Sequence, residues 1–258
     1  CIRDRAYWNS PTLELVSVIF MLIAGVNFAL HFTAWRRASA QPYFLDPELR
    51  VYISLIFAFS LLASFALYFT GTYDSLATAF RYGSFQVVSA MTTTGFTTAS
   101  FYDWPGFLPV LLICIAFIGG CAGSTAGGMK VYRVILLYRQ SIREIHRLVH
   151  PHAVIQIKIG GQKTSDTIIS AVWGFFFLYI ANFAVMTMLL TATGLDAETA
   201  YSAVGACITN LGPALGEAGP NYASLSDTAK LILCVAMLLG RLEIYTLLVI
   251  LTPVFWRD

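Results

Sequence analysis

Two similar stretches occur in this sequence, Ala90-Met-Thr-Thr-Thr-Gly-Phe96 and Cys207-Ile-Thr-Asn-Leu-Gly-Pro213. Each follows a short apolar segment, and each contains a glycine that can adopt the positive φ angles that other residues avoid. The segment before the second glycine, residues 197–208, would rise about 18 Å as a helix, little more than half of a bilayer's hydrocarbon core. Capping residues begin both segments, Asp74-Ser75 and Asp196. The pattern predicts two short helices that enter a membrane and turn back at a glycine.

The composition is typical of a membrane protein. Of the 258 residues, 57% are hydrophobic and 12% are charged, and the mean hydropathy is +0.70, outside the range of soluble domains. A membrane-spanning helix needs about 20 mostly apolar residues. Five stretches reach that length: residues 12–34, 51–70, 107–138 with an interruption, 167–193 and 229–254. The sequence therefore predicts an all-α integral membrane protein with five spans.

The basic residues predict the orientation of the chain, since Lys and Arg collect in cytoplasmic loops. They lie between the first two spans, at Arg36, Arg37 and Arg50, and between the third and fourth, at Lys130, Arg133, Arg139, Arg143, Arg147, Lys158 and Lys163. In the stretches 71–106 and 194–228, Arg81 is the only Lys or Arg. This pattern places the first residue outside and the C terminus in the cytoplasm. A chain that begins outside with Cys1 and without a signal peptide is expected to continue upstream.

The order of elements is repeated, as it is in many transporters. A span, a short apolar segment, a glycine turn and a second span occur twice, with Gly95 aligned on Gly212. The predicted division is a transmembrane helix and cytoplasmic linker over 1–50, one unit over 51–141, a basic cytoplasmic linker over 142–163, and a second unit over 164–258.

The glycine turns are predicted to be ion filters. Non-helical backbone at membrane depth must line a cavity or be buried in protein, and carbonyl oxygens aimed at one axis can replace the hydration shell of K⁺. The predicted filter residues are Thr92, Thr93, Thr94, Gly95, Phe96, Thr209, Asn210, Leu211, Gly212 and Pro213, with K⁺ held at Thr93, Thr94, Gly95, Asn210, Leu211 and Gly212. Ordinary glycine turns in outer loops are the alternative, and the repetition disfavours it.

A glycine-rich segment, Gly119-Gly-Cys-Ala-Gly-Ser-Thr-Ala-Gly-Gly128, interrupts the third span. Each glycine weakens a helix by about 1 kcal/mol relative to Ala, so a break is predicted there. We interpret the segment as a movable gating loop, with close helix packing through small residues as the alternative. A phosphate-binding loop is excluded, because Met129 stands where that motif needs Lys. The predicted gating residues are Gly119, Gly120, Gly123, Ser124, Thr125, Gly127, Gly128 and Lys130.

Three polar residues lie within predicted spans. Arg241 is in the last span, where a charge at mid-helix costs at least about 2.5 to 3.5 kcal/mol, so it is predicted to face the pore as a barrier to cations. A salt bridge to a neighbouring helix is the alternative, for which Glu243, two residues on, is a poor partner. Asn27 and His31 are one turn apart in the first span, and that spacing predicts a shared polar face.

Several motifs, taken in order, resemble the TrkH/KtrB family of potassium-uptake proteins. They are Met91-Thr-Thr-Thr-Gly-Phe-Thr-Thr98, Phe117-Ile-Gly-Gly-Cys-Ala-Gly-Ser-Thr-Ala-Gly-Gly-Met-Lys130, Arg147-Leu-Val-His-Pro151, Ala171-Val-Trp-Gly-Phe175, Asn210-Leu-Gly-Pro213 and Gly240-Arg-Leu-Glu243. The resemblance covers nearly the whole chain. It implies four membrane-pore-membrane units around a pseudo-fourfold pore, with the closing helix of the second unit and the complete third and fourth units in this chain.

The same resemblance implies the setting of the protein. It implies a gating role for the glycine-rich segment, a flux-limiting role for Arg241, and K⁺ as the transported ion, with no covalently bound cofactor. The implied location is the bacterial inner membrane. The implied partners are a second copy in a homodimer, a cytosolic nucleotide-binding regulatory subunit (TrkA-like), the remaining N-terminal part of the same protein and the lipid bilayer.

Three functions remain to be weighed on the residues. The first is a gated K⁺ pore and not an enzyme. The second is an intramembrane enzyme with Ser124 or Cys121 as nucleophile and His31 as the only histidine at comparable depth. The third is a secondary carrier that couples K⁺ to H⁺ or Na⁺ in symport. Nucleic acid is not expected as a partner, because anionic headgroups account for the basic residues beside the bilayer.

Overall fold

The computed structural model describes residues 4–151, 153, 155–242, 249 and 253–256. Within them lie ten α-helices: α1 (Pro11–Ala24), α2 (Phe28–Arg36), α3 (Gln41–Leu45), α4 (Pro47–Phe69), α5 (Leu76–Met91), α6 (Leu108–Ile118), α7 (Val131–Val149), α8 (Asp166–Thr191), α9 (Ala197–Ile208) and α10 (Asp227–Arg241). Short 3-10 helices cover Ala6–Trp8, Phe101–Asp103, Gly216–Ala218 and Pro253–Trp256. Two strands, β1 (Lys158–Ile159) and β2 (Gln162–Lys163), pair antiparallel. The chain therefore has the predicted all-α fold.

Two helices of the described part are long and apolar enough to cross a membrane alone. These are α4, with 23 residues, and α8, with 26. Their outer faces carry large exposed apolar side chains, such as Phe57, 62% exposed, and Phe177, 70% exposed. Such faces are unfavourable in water and suited to lipid. Both helices lie where the sequence predicts the second and fourth spans.

The first predicted span is not one helix, because α1 and α2 meet at an angle of 91°. Asn27 has an extended backbone, and its side-chain oxygen accepts the Ala29 N–H at 2.8 Å, so it caps a new helix. Asn27 therefore lies at the start of α2, one turn before His31, whose N–H donates to the Asn27 carbonyl at 3.3 Å. The His31 ring nitrogens lie 2.8 Å from the Tyr43 hydroxyl and 2.9 Å from the Ile23 carbonyl, which ties α2 back to α1 across the bend.

The third predicted span is broken at the glycine-rich segment. The apolar helix α6 has 11 residues and ends at Ile118, and α7 begins at Val131. Residues 119–130 connect the two helices without helical structure. The helix α7 continues beyond the proposed unit boundary at residue 141 and ends at Val149.

The fifth predicted span, residues 229–254, is described mainly in its first part. There α10 begins at Asp227 and ends at Arg241. Glu243 and most of the residues after it lie outside the described residues. The two ends of the chain, Cys1 and Asp258, lie outside them as well.

Two apolar cores correspond to the two repeated units. The first core packs α4, α5 and α6 together and contains Tyr52 and Phe85. The second packs α8, α9 and α10 together and contains Tyr179 and Leu190. Leu211, from the second glycine turn, is buried in the first core. The two units are thus joined through the residues that the sequence singles out as filters.

The predicted basic linker contains two ordered features. Arg143 is 8% exposed, and its guanidinium lies 2.9 Å from the Asp166 carboxylate at the start of α8. Gly160 and Gly161 both have positive φ angles and join β1 to β2, as in a two-residue hairpin. The predicted linker over 142–163 thus contains the end of α7 and a small hairpin.

Candidate ion-coordination site

The helix α5 ends in a turn that fixes the three residues after it. The Thr92 hydroxyl donates to the Val88 carbonyl at 2.8 Å. Thr93 has a φ angle of +51°, and the Thr94 N–H donates to the Ser89 carbonyl at 2.9 Å. This is a Schellman C-cap, in which N–H groups beyond the helix satisfy its last carbonyls. It sends the chain away from the helix axis.

The helix α9 ends in the same way. The Thr209 hydroxyl donates to the Gly205 carbonyl at 2.8 Å. Asn210 has a φ angle of +59°, and the Leu211 N–H donates to the Ala206 carbonyl at 2.8 Å. Each bond has its counterpart in the α5 turn under one and the same alignment of the two sequences. The weak sequence repeat therefore corresponds to a close repeat of backbone geometry.

A glycine with positive φ follows each cap, +74° at Gly95 and +104° at Gly212. Both glycines line one cavity of about 910 Å³ between the two units. No N–H or O–H in the described part of the chain donates to the backbone oxygens of Thr93, Thr94 or Gly95. Three successive carbonyls are therefore without a hydrogen-bond donor in the described part of the chain, and one of these residues, Gly95, lines the cavity.

The second turn offers fewer open oxygens than the first. The Gly212 carbonyl accepts the Tyr222 hydroxyl at 2.6 Å, and the Asn210 amide donates to the Met237 carbonyl at 3.4 Å. Leu211 is 3% exposed. Because a carbonyl oxygen has two lone pairs, Gly212 keeps one for a ligand. The two turns are alike in backbone path and unequal in acceptor supply.

The first turn is also held by the N-terminal segment. The Arg5 N–H donates to the Thr97 carbonyl at 2.7 Å, and the Arg5 guanidinium lies 4.2 Å from the centre of the Phe96 ring. The Phe96 carbonyl accepts the Ser89 hydroxyl at 2.7 Å. Phe96, a predicted filter residue, is thus fixed at both its ring and its carbonyl. Sequence reasoning missed Arg5, since no spacing rule connects it to Phe96.

The glycine-rich segment lies directly against both turns. The Gly127 N–H donates to the Thr93 hydroxyl at 2.6 Å. A Cβ at Gly127 would overlap the Thr209 carbonyl oxygen, so a side chain there would push the segment away. The structure therefore brings together the predicted filter residues and the predicted gating residues.

Other predicted gating residues shape the segment itself. The Ser124 hydroxyl donates to the Cys121 carbonyl at 2.6 Å. The Lys130 ammonium donates to the carbonyls of Ser124 and Ala126. Gly119, Gly120 and Gly128 lie near the ends of the segment, where it leaves α6 and approaches α7. A fixed positive charge thus lies among the carbonyls of the segment.

Arg241 reaches the same segment from α10. Its guanidinium donates to the Thr125 carbonyl at 3.3 Å, and both residues line a cavity of about 290 Å³. Arg241 is the last residue of α10, and so it is not at mid-helix as predicted. Within the described ranges, no carboxylate lies within salt-bridge distance of it. The alternative of a structural ion pair therefore has no partner there.

The sequence analysis did not identify a further buried charged residue, Glu48. Glu48 is 7% exposed, and its carboxylate accepts the N–H groups of Ala122 and Tyr132 at 2.7 and 3.0 Å. The sequence Asp46-Pro-Glu48 is an ordinary helix start, with a capping Asp and an acid in the first turn. No local signal connects it to the glycine-rich segment.

Within the described residues, neither candidate nucleophile of an intramembrane enzyme, Ser124 or Cys121, is hydrogen bonded to a side chain that could act as a base. Both ring nitrogens of His31 are engaged by Tyr43 and Ile23. Cys121 is 1% exposed, and the Ser124 hydroxyl donates to a backbone carbonyl. Catalysis would need one of them activated by hydrogen bonding to a base.

The fold and the site define an all-α membrane protein with two short helices that end in matched glycine turns. The family profile described as "TrkH: Cation transport protein" matches residues 5–255. The chain belongs to this family, whose members are transport proteins and not enzymes.

Individual relatives agree with this assignment. A Trk system potassium uptake protein TrkH of Halomonas elongata is 50% identical over 251 residues, which are 97% of this chain and 52% of the relative. The protein of that name from Escherichia coli is 48% identical over 252 residues, 98% of this chain and 52% of the relative. The chain spans about half the length of these curated relatives.

A solved structure has the same fold. The crystal structure of the potassium transporter TrkH from Vibrio parahaemolyticus superimposes with a TM-score of 0.94 at 48% sequence identity. The match covers 98% of this chain and 55% of that chain.

Proposed function

We propose that this chain supplies two units, residues 51–141 and 164–258, of a potassium-uptake pore. K⁺ passes the two glycine turns and exchanges part of its hydration shell for backbone oxygens. The observation that carries the proposal is the pair of matched turns, with Gly95 and Gly212 lining one cavity and the oxygens of Thr93, Thr94 and Gly95 accepting no hydrogen bond from the described residues. The names of the relatives support K⁺ as the ion.

In this pore, the glycine-rich segment is the gate. Two observations support this role. Residues 119–130 have no helical structure, and Gly127 contacts both turns. The ammonium of Lys130 and the guanidinium of Arg241 both bond to carbonyls of the segment. Two positive charges on the inner side of the turns raise the electrostatic barrier for a cation. Movement of the segment relieves the obstruction.

The rest of the ring comes from outside this chain. Two turns cannot surround an ion, so the N-terminal part of the same protein provides the other two filters, around a pseudo-fourfold axis. The basic residues 130–163 face the cytoplasm, with the C terminus on that side and the first residue outside, in a bacterial inner membrane. A cytosolic nucleotide-binding subunit (TrkA-like) docks there, and two copies assemble in the membrane.

A reversal-potential measurement tests the pore against the carrier. The full-length protein is placed in a planar bilayer under a fixed K⁺ gradient, and the reversal potential is recorded with and without H⁺ and Na⁺ gradients. For a pore, the reversal potential follows the K⁺ gradient and does not move with the H⁺ gradient. A shift set by H⁺ or Na⁺ identifies a symport carrier and contradicts the proposal.

A further inference from the structure

Glu48 joins the two ends of the glycine-rich segment. It lies in the first turn of α4, and one carboxylate oxygen, Oε1, accepts both the Ala122 N–H at 2.7 Å and the Tyr132 N–H at 3.0 Å. Ala122 is near the start of the segment, and Tyr132 is in the first turn of α7, just after its end. A carboxylate that is 7% exposed is unfavourable unless it is hydrogen bonded, and these two donors satisfy it.

The residues on either side of Ala122 are held by hydrogen bonds to a different part of the chain. The Cys121 N–H donates to the Gly25 carbonyl at 2.9 Å, and the Gly123 carbonyl accepts the Phe28 N–H at 3.1 Å. Gly25 and Phe28 belong to the bend between α1 and α2. Three consecutive residues of the segment are therefore held between α4 and this bend.

The same face of α4 also supports the bend. Tyr52, one turn after Glu48, is fully buried, and its hydroxyl donates to the Leu22 carbonyl at 3.4 Å. The Tyr52 hydroxyl occupies the space in which a Cβ of Gly25 would lie. Thus α4 holds the segment directly through Glu48 and indirectly through Tyr52 and the bend.

The middle of the segment contacts the residues of the proposed pore. The Thr125 carbonyl accepts one hydrogen bond from the Arg241 guanidinium, and the Gly127 N–H donates one to the Thr93 hydroxyl. The two ends of the segment limit where its middle can lie, because the Val131 N–H donates to the Gly120 carbonyl at 3.0 Å, close in sequence to the two donors of Glu48. Loss of the bonds that hold these ends would let the middle of the segment leave the glycine turns.

We propose that Glu48 is the positioning residue of the gate: its carboxylate holds the glycine-rich segment against the two turns and so restrains ion flux. The effect on flux rests on the function proposed above, whereas the effect on the position of the segment does not. The two effects are therefore measured separately.

Cys121 provides a native reporter of the segment's position. It is 1% exposed and adjacent to Ala122. In the full-length protein, every cysteine other than Cys121 is replaced by Ser, including Cys1, Cys114, Cys207 and Cys234. A thiol reagent is then applied from the cytoplasmic side, and ⁸⁶Rb⁺ flux is measured in parallel. We expect Glu48→Ala to raise the rate of Cys121 modification by about tenfold or more, as local opening exposes the thiol, and to raise the flux.

Two further variants separate anchoring from charge. Glu48→Gln keeps an amide oxygen that can accept both N–H groups, so it is expected to stay near the wild type in both measurements. Glu48→Asp is shorter by one methylene, so intermediate rates are expected. It also replaces Glu48→Ala if that variant does not assemble.

Glu14 is the matched control for loss of a buried carboxylate. It is 6% exposed and pairs with Arg81 at 2.6 Å, away from the segment. Glu14→Ala is expected to leave the Cys121 rate unchanged. The inference is overturned if Glu48→Ala leaves the Cys121 rate at the wild-type value, or if Glu14→Ala raises it equally. A faster Cys121 reaction without higher flux retains the role of Glu48 and contradicts gating by the segment.

Discussion

Gly95 and Gly71 have nearly the same φ angle, +74° and +69°. Their surroundings differ. An added Cβ at Gly71 would meet no atom within 4 Å, whereas Gly95 lies beside the cavity that it shares with Gly212. This pair separates the general strain of a left-handed residue from a role in ion coordination.

We expect Gly95→Ala to abolish or strongly reduce the K⁺ current, because the new side chain redirects the carbonyls at the turn. Gly71→Ala carries a similar backbone strain of about 1 kcal/mol and is expected to retain the current. Both are measured as K⁺ current per assembled protein in a bilayer. Equal behaviour of the two variants would remove Gly95 from the conducting path.

Arg241 places its charge where the segment and α10 meet. We expect Arg241→Ala to raise the K⁺ current by about two- to fivefold, because a cation no longer passes a fixed positive charge in a weakly screened site. Arg241→Lys keeps the charge and is expected to stay close to the wild type. The measurement is single-channel current in the full-length protein. An unchanged or smaller current in Arg241→Ala would show that this charge does not limit flux.

At the scale of elements, the two short helices were predictable because local rules decide them. Length excluded a full span, and a capping acid or hydroxyl began each helix. The structure has α9 at Ala197–Ile208, capped by Asp196, as predicted. The turns after both helices were predictable for the same reason, since glycine punctuates apolar segments.

The capping residue Asp196 makes the stability of the start of α9 depend on pH. Hydrogen bonds from the Thr199 hydroxyl and the Thr199 N–H lower the pKa of the Asp196 carboxyl. A lowered folded-state pKa means that the cap stabilises α9 above the ordinary Asp value of about 3.9 and loses this effect as pH falls through the folded value. We expect Asp196→Ala to lower the free energy of unfolding by about 1 kcal/mol at neutral pH and by less as the pH falls through the folded-state pKa.

Thermal unfolding of the full-length protein at neutral and strongly acidic pH measures this effect. The difference in Tm between wild type and Asp196→Ala is expected to shrink in acid. Asp196→Asn, which keeps a capping oxygen, is expected to lie closer to the wild type. A difference that grows in acid would have the wrong sign for a cap of this kind.

The bend between α1 and α2 was not predictable, because hydropathy is continuous over residues 12–34. What fixes it is tertiary. Gly25 and Phe28 bond to the glycine-rich segment, and Tyr52 fills the space beside Gly25. A single Asn in an apolar stretch is equally compatible with a helix interior, so Asn27 alone could not reveal its capping role.

At the scale of the whole molecule, the candidate site is assembled from distant parts of the chain. Residue types and repetition identified the turns, but not what holds them. Glu48 meets Ala122, and Arg5 meets Phe96 and Thr97, over separations at which no periodicity applies. Such contacts follow from the packing of α4 and the N-terminal segment, which local propensities do not determine.

In the proposed pore, the two units form only part of a ring. We expect the 258-residue chain alone to give no K⁺ current, because half a ring leaves the ion's other side without ligands. Co-expression with the N-terminal part of the same protein is expected to restore the current. The measurement compares K⁺ current in bilayers for the chain alone and for the combination. A robust current from the chain alone would contradict the shared-ring arrangement.

Anomalous scattering from Tl⁺ in crystals of the full-length protein tests most directly whether the two turns bind the ion. We expect a peak between Gly95 and Gly212, in contact with the backbone oxygens of Thr94 and Gly95, and its loss on exchange of Tl⁺ for K⁺. A peak elsewhere in the membrane region, or turn oxygens directed away from the ion, would contradict ion coordination by the glycine turns.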